Sequence, residues 1–179
     1  LNRRNYEITT FRKDLKTEGR RALVEFGTSL EEDALRRDFT MNALYLGSEG
    51  TLIDPLSGIE DLNTRRVRFV GNASGRIKED FLRILRFFRF YAWYGDPIKG
   101  IDSEGFAACK KLQPGLVHIS KERIGSEIFK LLLAASPTSA IMSMESAGVL
   151  KSVLSGANAS ALPFLESLEG EIKPNAIRR

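Results

Sequence analysis

Glu79-Asp80-Phe81-Leu82-Arg83-Ile84-Leu85-Arg86-Phe87-Phe88-Arg89-Phe90-Tyr91-Ala92-Trp93-Tyr94 is the stretch that decides how this 179-residue chain is read. It holds no glycine or proline and stops just before Gly95 and Pro97, so it predicts the longest helix of the chain, from about Glu79 to Tyr94. Phe81, Leu82, Ile84, Leu85, Phe87, Phe88, Phe90, Tyr91 and Trp93 cover most of its circumference, which should leave the helix largely buried. Its charges are spaced as neighbours: Glu79 and Arg83 four apart, Asp80 and Arg83 three apart, Arg86 three further on.

That stripe has two readings. The plain one is a solvated helix face laced by ion pairs, each contributing only about a few tenths of a kcal/mol. The sharper one is a base-reading edge, because a carboxylate accepts hydrogen bonds while a guanidinium donates them in a fixed fork. Adenine and cytosine present an amino donor beside an unprotonated ring nitrogen. Guanine and uracil present a carbonyl beside a ring N–H. An Asp80/Arg83 edge would accept the first pair, and against the second it would set like groups face to face at about 1 to 3 kcal/mol per unsatisfied group.

On the amino-terminal side of this helix the signals are mixed α and β. Tyr6 to Phe11 is β-branched and aromatic and predicts a strand. The charged run from Arg12 to Arg21 predicts an exposed, mobile loop. Val24-Glu25-Phe26 predicts a short strand, and Ser29-Leu30-Glu31-Glu32 has the spacing of a capping box for a helix to about Arg36. Leu52-Ile53, a turn through Gly58, a helix over 59–62 and a strand over 67–70 follow. On the carboxyl-terminal side, helices are expected near 103–112, 121–134 (capped by Ser120) and 137–147. For the last of these Ser136 is the cap, Pro137 the first turn and Gly148 the stop. Residues 155–160 read as a loop. The fold class is therefore α+β, an α/β part followed by an all-helical part.

Composition narrows the function classes. With 42% apolar residues the chain buries a core. A +4 charge and a pI near 9.3 suit an anionic partner. The single cysteine, Cys109, precludes an internal disulfide, and with the lone His118 it cannot build a zinc site. A reducing, cytoplasmic setting is expected. No apolar run has the roughly 20 residues needed to span a bilayer. The chain begins at Leu1 without an initiator methionine and runs at once into a strand pattern, so it is expected to start inside a domain.

A second cluster raises the weight of the base-reading edge. Arg36-Arg37-Asp38-Phe39-Thr40-Met41-Asn42-Ala43-Leu44 puts two guanidiniums and a carboxylate at a helix end; arginines suit triphosphate oxygens, and Asp38 or Asn42 could hold ribose hydroxyls. The plain alternative is an Arg–Asp pair that only finishes the helix.

Taken in order, the Arg36–Leu44 segment, Asp54-Pro55-Leu56-Ser57-Gly58-Ile59-Glu60-Asp61-Leu62 and Glu79–Arg86 resemble motifs B, C and D of the class II nucleotidyltransferases. These are the tRNA CCA-adding enzymes of bacteria and eukaryotes and the bacterial poly(A) polymerases. Ile119-Ser120-Lys121-Glu122-Arg123-Ile124-Gly125-Ser126-Glu127 resembles the following motif E. The resemblance covers roughly residues 5–155. It implies part of a polymerase-beta-type head (1–58), a helical, nucleotide-selecting neck (59–136) and the start of a helical body (137–179).

The resemblance also implies roles. Arg36, Arg37, Asp38 and Asn42 would engage ribose and triphosphate. Glu79, Asp80 and Arg83, with Arg86, would read ATP or CTP without a template. Asp54, Gly58 and Asp61 would form a hinge, with Arg123 in support, and the Arg12–Arg21 loop would take part in switching from C to A addition. The family's Gly-Gly loop and paired Asp-x-Asp, which hold two Mg2+ ions, belong before Tyr6 and are not in this sequence. Glu7 is the candidate for a remaining catalytic and metal-binding acid, against the plain reading of a strand-edge glutamate. One such acid cannot hold two metals, so the chain by itself is expected to be inactive.

Function is expected to be CCA addition to tRNA from CTP and ATP. The alternatives are poly(A) synthesis, partial addition of only CC or only A, and, in a different class, a helical RNA-binding module without a nucleotide pocket, for which the tail Ile177-Arg178-Arg179 would serve.

Overall fold

The computed structural model describes residues 10–18, 21–26, 29–170 and 174–179, with backbone only for the strands over 12–18 and 21–26. Glu7 and most of the strand expected over 6–11 lie outside the described residues. Among those described, helices dominate and each of two small sheets has two antiparallel strands.

The charged run expected as a loop is instead a strand. β1 (Arg12–Glu18) pairs antiparallel with β2 (Arg21–Phe26), Arg12 opposite Phe26 and Glu18 opposite Arg21, with a register shift between Asp14 and Lys16. Backbone pairing does not need the apolar alternation that a sequence reading looks for, and charged side chains suit a ribbon at a sheet edge.

Ser29 caps α1 (Leu30–Leu35) as its spacing predicts, its hydroxyl accepting from the Glu32 N–H at 3.3 Å. Glu31, Glu32 and Asp33 place acid in the first turn, where the helix dipole favours it. A 3-10 turn over Thr40–Asn42 then leads to β3 (Tyr45–Leu46), which pairs with β4 (Leu52–Ile53). Asp54 starts α2 (Gly58–Asn63) by accepting the N–H groups of Gly58 at 2.8 Å and Ile59 at 3.0 Å. The strand expected over 67–70 is reduced to a bridge between Phe39 and Phe69, with Thr40 donating to the Arg68 carbonyl and Val70 to that of Asp38.

The longest helix begins at Leu82 rather than at about Glu79, and a separate helix precedes it. Asn72 caps α3 (Ala73–Glu79) through the Gly75 N–H. Asp80 then turns extended, at φ −152° and ψ 108°, and its Oδ1 accepts from the Leu82 N–H at 3.1 Å as α4 (Leu82–Tyr94) begins. An aspartate competes for backbone N–H groups and so favours a helix start over a helix interior. Phe87 and Phe88 are fully buried, each contributing about 2 to 3 kcal/mol of apolar burial. Phe69 stacks on Phe87 with ring centres 5.3 Å apart, and Phe39 closes on Phe69 at 4.9 Å, so the segment after α1 is packed into the helical core. Trp93, expected inside, is half exposed, and its indole N–H donates to the Lys130 carbonyl.

α5 (Ser103–Leu112) is capped by Asp102 and runs into a 3-10 turn over Gln113–His118. α6 (Lys121–Leu132) packs on α4, with Arg89 and Glu127 in an ion pair at 2.7 Å that is not aligned as a hydrogen bond. Ser120 makes no side-chain cap bond there. α7 (Thr138–Ser146) follows Pro137, and Gly148 at φ 77° turns the chain into α8 (Val149–Val153). The cap for α7 comes from afar: Glu166 of α9 (Leu162–Glu169) accepts from the Thr138 N–H at 3.0 Å and from Ser136 Oγ at 3.2 Å. No helix among the described residues is long and apolar enough to cross a membrane.

Candidate functional site

Asp33 organises the end of α1. Its carboxylate is buried and accepts from Arg36 at Oδ1, from Arg37 Nη2 at Oδ2 (2.8 Å) and from the Tyr45 hydroxyl at Oδ2 (2.9 Å). Burial pushes its pKa up, but the two guanidiniums and the phenol outweigh burial and hold it below the ordinary carboxylate value. Both arginines singled out in the sequence are therefore aimed by one anion that the reading did not single out. The signal was present, since Arg36 and Arg37 stand three and four positions after Asp33, just past the end of α1.

Asp38 connects the two clusters that the sequence separates. Its Oδ1 accepts from Asn42 Nδ2 at 2.8 Å and from the Phe39 N–H at 3.0 Å, while Oδ2 accepts from Arg86 Nε at 2.6 Å. Burial raises its pKa. Arg86, Asn42 and the Phe39 N–H more than offset that, so the group stays ionised below the usual range.

The stripe itself is a ladder of alternating charge. Arg76 Nη1 donates to Glu79 at 2.8 Å, Arg83 Nη1 donates to Glu79 Oε2 at 2.5 Å, and Arg123 of α6 donates to Asp80 Oδ2 at 2.6 Å. Arg83 also donates to the Arg76 carbonyl at 2.8 Å and, at 3.5 Å, to the Arg36 carbonyl. These are three of the five N–H groups that a guanidinium carries, and Asp80 uses two of about four lone-pair positions. Asp80 and Arg83 thus stand at the break between α3 and α4, each fixed by a different partner, with hydrogen-bonding capacity left over. They are not paired with each other through their side chains, so the break lets them act as separate acceptor and donor.

The remaining expected residues brace these parts. Asp61 is buried, accepting from Thr40 Oγ1 at 2.5 Å and Arg68 Nε at 2.9 Å. Gly58 lies so near the Thr40 carbonyl that a Cβ there would sit 2.4 Å from its oxygen. Asp54, Gly58 and Asp61 therefore fasten α2 to the turn that carries Asn42. Arg123 reaches the stripe from α6 through Asp80. Among the described residues no group of three or more His, Cys, Asp or Glu is arranged to hold a metal ion. The carboxylates near the stripe are committed to guanidiniums and do not fit a magnesium site.

Comparison with known proteins gives this geometry its context. Residues 1–68 match the family described as the poly A polymerase head domain, and residues 100–160 match the probable RNA and SrmB- binding site of polymerase A. Human mitochondrial CCA tRNA nucleotidyltransferase 1 is 50% identical over 133 residues, 74% of this chain and 31% of the relative. The CCA-adding enzyme of Streptococcus sanguinis (strain SK36) is 48% identical over 135 residues, 74% of this chain and 33% of the relative. The chain thus spans about a third of the length of these curated relatives. The crystal structure of the Bacillus stearothermophilus CCA-adding enzyme in complex with CTP superimposes with a TM-score of 0.73 at 36% identity, over 83% of this chain and 35% of that one. A backbone shared with that enzyme, and the same ordered motifs now joined through Asp38, Arg86, Asp80 and Arg123, mean that the chain belongs to the class II nucleotidyltransferase family of CCA-adding enzymes and poly(A) polymerases.

Proposed function

We propose that the chain is the nucleotide-selecting part of a template-independent RNA nucleotidyltransferase that completes the CCA end of tRNA from CTP and ATP. The observation that carries this reading is the helix break at Asp80, which presents an acceptor and, at Arg83, a donor, each anchored from behind by Arg123 and Glu79. A fixed acceptor–donor edge matches the amino group and ring nitrogen of cytosine and adenine and opposes the carbonyl and N–H of uracil and guanine. Arg36 and Arg37 are assigned to the triphosphate, and Asp38 and Asn42 to the ribose. The head extends to about residue 58, the neck over 59–136 and the body from 137. Glu7 stays the candidate acid of the head strand. The Mg2+ expected of this chemistry would be held by carboxylates outside the described residues.

The CTP and tRNA in the names of the relatives and solved structures support these substrates for the full protein. The cytoplasm is the proposed compartment, since one buried thiol suits a reducing milieu; the mitochondrial relatives make the matrix the outcome that would overturn it.

The test is incorporation of labelled nucleotides by the full-length protein on tRNA lacking its terminus. C, C and A added in order supports the reading; poly(A) runs on generic RNA with no C added, or addition of only C or only A, replaces it with the corresponding alternative. Arg83→Ala and Asp80→Ala should spoil CTP and ATP binding and spare RNA affinity. Unchanged nucleotide binding would favour a simple RNA-binding module. Against that module stands the tail: the side chain of Arg179 is buried, donating to Glu169 and to the carbonyls of Leu132 and Ala134, so it is not a free basic arm.

A further inference from the structure

Arg76 was not among the residues marked by the motifs, yet it bonds to Glu79, to Arg83 and to the Arg37 carbonyl. Its side chain is largely buried between α1 and α3. Nη1 donates to Glu79, Nη2 donates to the Arg37 carbonyl at 2.7 Å, and its own carbonyl accepts from Arg83 at 2.8 Å. Its Nε is buried without a hydrogen-bond partner. Burial, and after it the neighbouring charge of Arg83, pull its pKa below the ordinary arginine value. Two guanidiniums thus crowd one carboxylate, an arrangement that costs desolvation and repulsion and leaves a donor unmatched. A position that only had to fill space would do better with an apolar side chain.

The geometry points to Arg76 as a positioning residue for base selection: it fixes Glu79, and through Glu79 and its own carbonyl the guanidinium of Arg83, relative to the backbone that carries Arg36 and Arg37. This rests on the reading of Arg83 as the donor that meets the base. The chain of contacts is short. Glu79 is about one third exposed and would sample several rotamers if Arg83 alone held it; Arg76 pins its other side. The Arg37 carbonyl lies at the open end of α1, where a guanidinium also complements the helix dipole. The base-reading donor and the proposed triphosphate-binding end are thereby held in one frame. Lysine at this position keeps the charge but has no planar fork to bridge a carboxylate and a carbonyl at once.

The experiment uses the full-length protein with Arg76→Lys and Arg76→Gln, measuring kcat and KM for CTP, ATP, UTP and GTP on tRNA lacking its terminus, with a thermal melt of each variant. The expected result is a fall of about tenfold in discrimination against UTP and GTP, carried by a raised KM for CTP and ATP while kcat changes less than about twofold. The lysine variant should be no better than the glutamine one. If the four nucleotides are affected in the same proportion, or discrimination is unchanged, Arg76 is structural and the inference is overturned. Variants that melt below the assay temperature also overturn it, because a bridge required for the fold explains the arginine without selectivity. Wild-type protein that adds no C and A would instead remove the underlying reading, an outcome visible before any variant is assayed.

Discussion

Arg86 donates from Nε to Oδ2 of Asp38 at 2.6 Å across 48 positions of sequence, and this bond joins the segment after α1 to α4. Asp38 is buried and Arg86 about one third exposed, so removing the guanidinium leaves a carboxylate with only neutral donors. Arg86→Ala is expected to cost about 2 to 3 kcal/mol in urea unfolding. Asp38→Asn with Arg86→Ala should cost less than the sum of the two, as expected for residues sharing one bond.

The same pair sets a pH dependence. The folded pKa of Asp38 is lowered, so its contribution is fully present above the unfolded value of about 3.9 and is lost as pH falls through the lower folded value. Stability curves of wild type and Arg86→Ala should therefore converge in strong acid, below about pH 3.9, and run parallel near neutrality. Carboxyl carbon shifts of Asp38 that titrate at or above that value in the wild type would contradict this.

Much of this was legible in the sequence, for reasons that particular residues make plain. Ser29 announces α1 because a hydroxyl three residues before an acid has the spacing of a helix cap, and here the hydroxyl accepts from the Glu32 N–H. The break at Asp80 was not legible, since the apolar pattern from Phe81 to Tyr91 marks the body of α4 and periodicity cannot register one extended residue ahead of it. Glu166 capping α7 from 28 positions away has no local signature at all. Trp93 and Tyr94 are both half exposed although they continue the apolar pattern of the helix, because the pattern gives a helix face and not the depth of what packs on it. In the candidate site the motifs marked the residues proposed to meet substrate, and the anchors lay outside them, Asp33 ahead of the first and Tyr45 and Arg76 in the spaces between.

Asp33 supplies the next expectation. Asp33→Asn removes the anion that aims Arg36 and Arg37 while keeping the shape of the side chain. A cost of about 2 kcal/mol is expected, less than for a fully buried pair because Arg37 remains partly solvated. Tyr45→Phe loses one hydrogen bond and should cost about 1 kcal/mol. If the arginines hold triphosphate, Asp33→Asn should weaken CTP and ATP together without changing the preference between bases. Calorimetric titration of CTP and ATP, beside UTP and GTP, separates that from an effect on selection.

Cys109 is fully buried on α5, and burial pushes its thiol far above the usual range. The thiolate is the reactive form, so native protein should resist iodoacetamide at neutral pH and label only after unfolding in urea. Rapid labelling of folded protein would mean that α5 opens locally. The rate of labelling against urea concentration would then report that opening.

Gly58 offers the sharpest test of how α2 is held against the Thr40–Asn42 turn. A methyl group there would meet the carbonyl oxygen of Thr40 at 2.4 Å and its carbon at 2.9 Å, backbone atoms that cannot rotate away. Either α2 shifts, loosening the Asp54 cap, or the Thr40–Asn42 turn shifts, stretching the 2.5 Å bond from Thr40 to Asp61. Gly58→Ala should cost about 1 to 3 kcal/mol. Gly125→Ala is the matched control, because α6 leaves open space at that position and alanine there should be neutral or stabilising by up to about 1 kcal/mol. The two substitutions change the chain by the same methyl group. A Gly58→Ala variant as stable as Gly125→Ala would show that α2 is free to move against the turn, and the bracing assigned to Asp54 and Asp61 would then have to be abandoned.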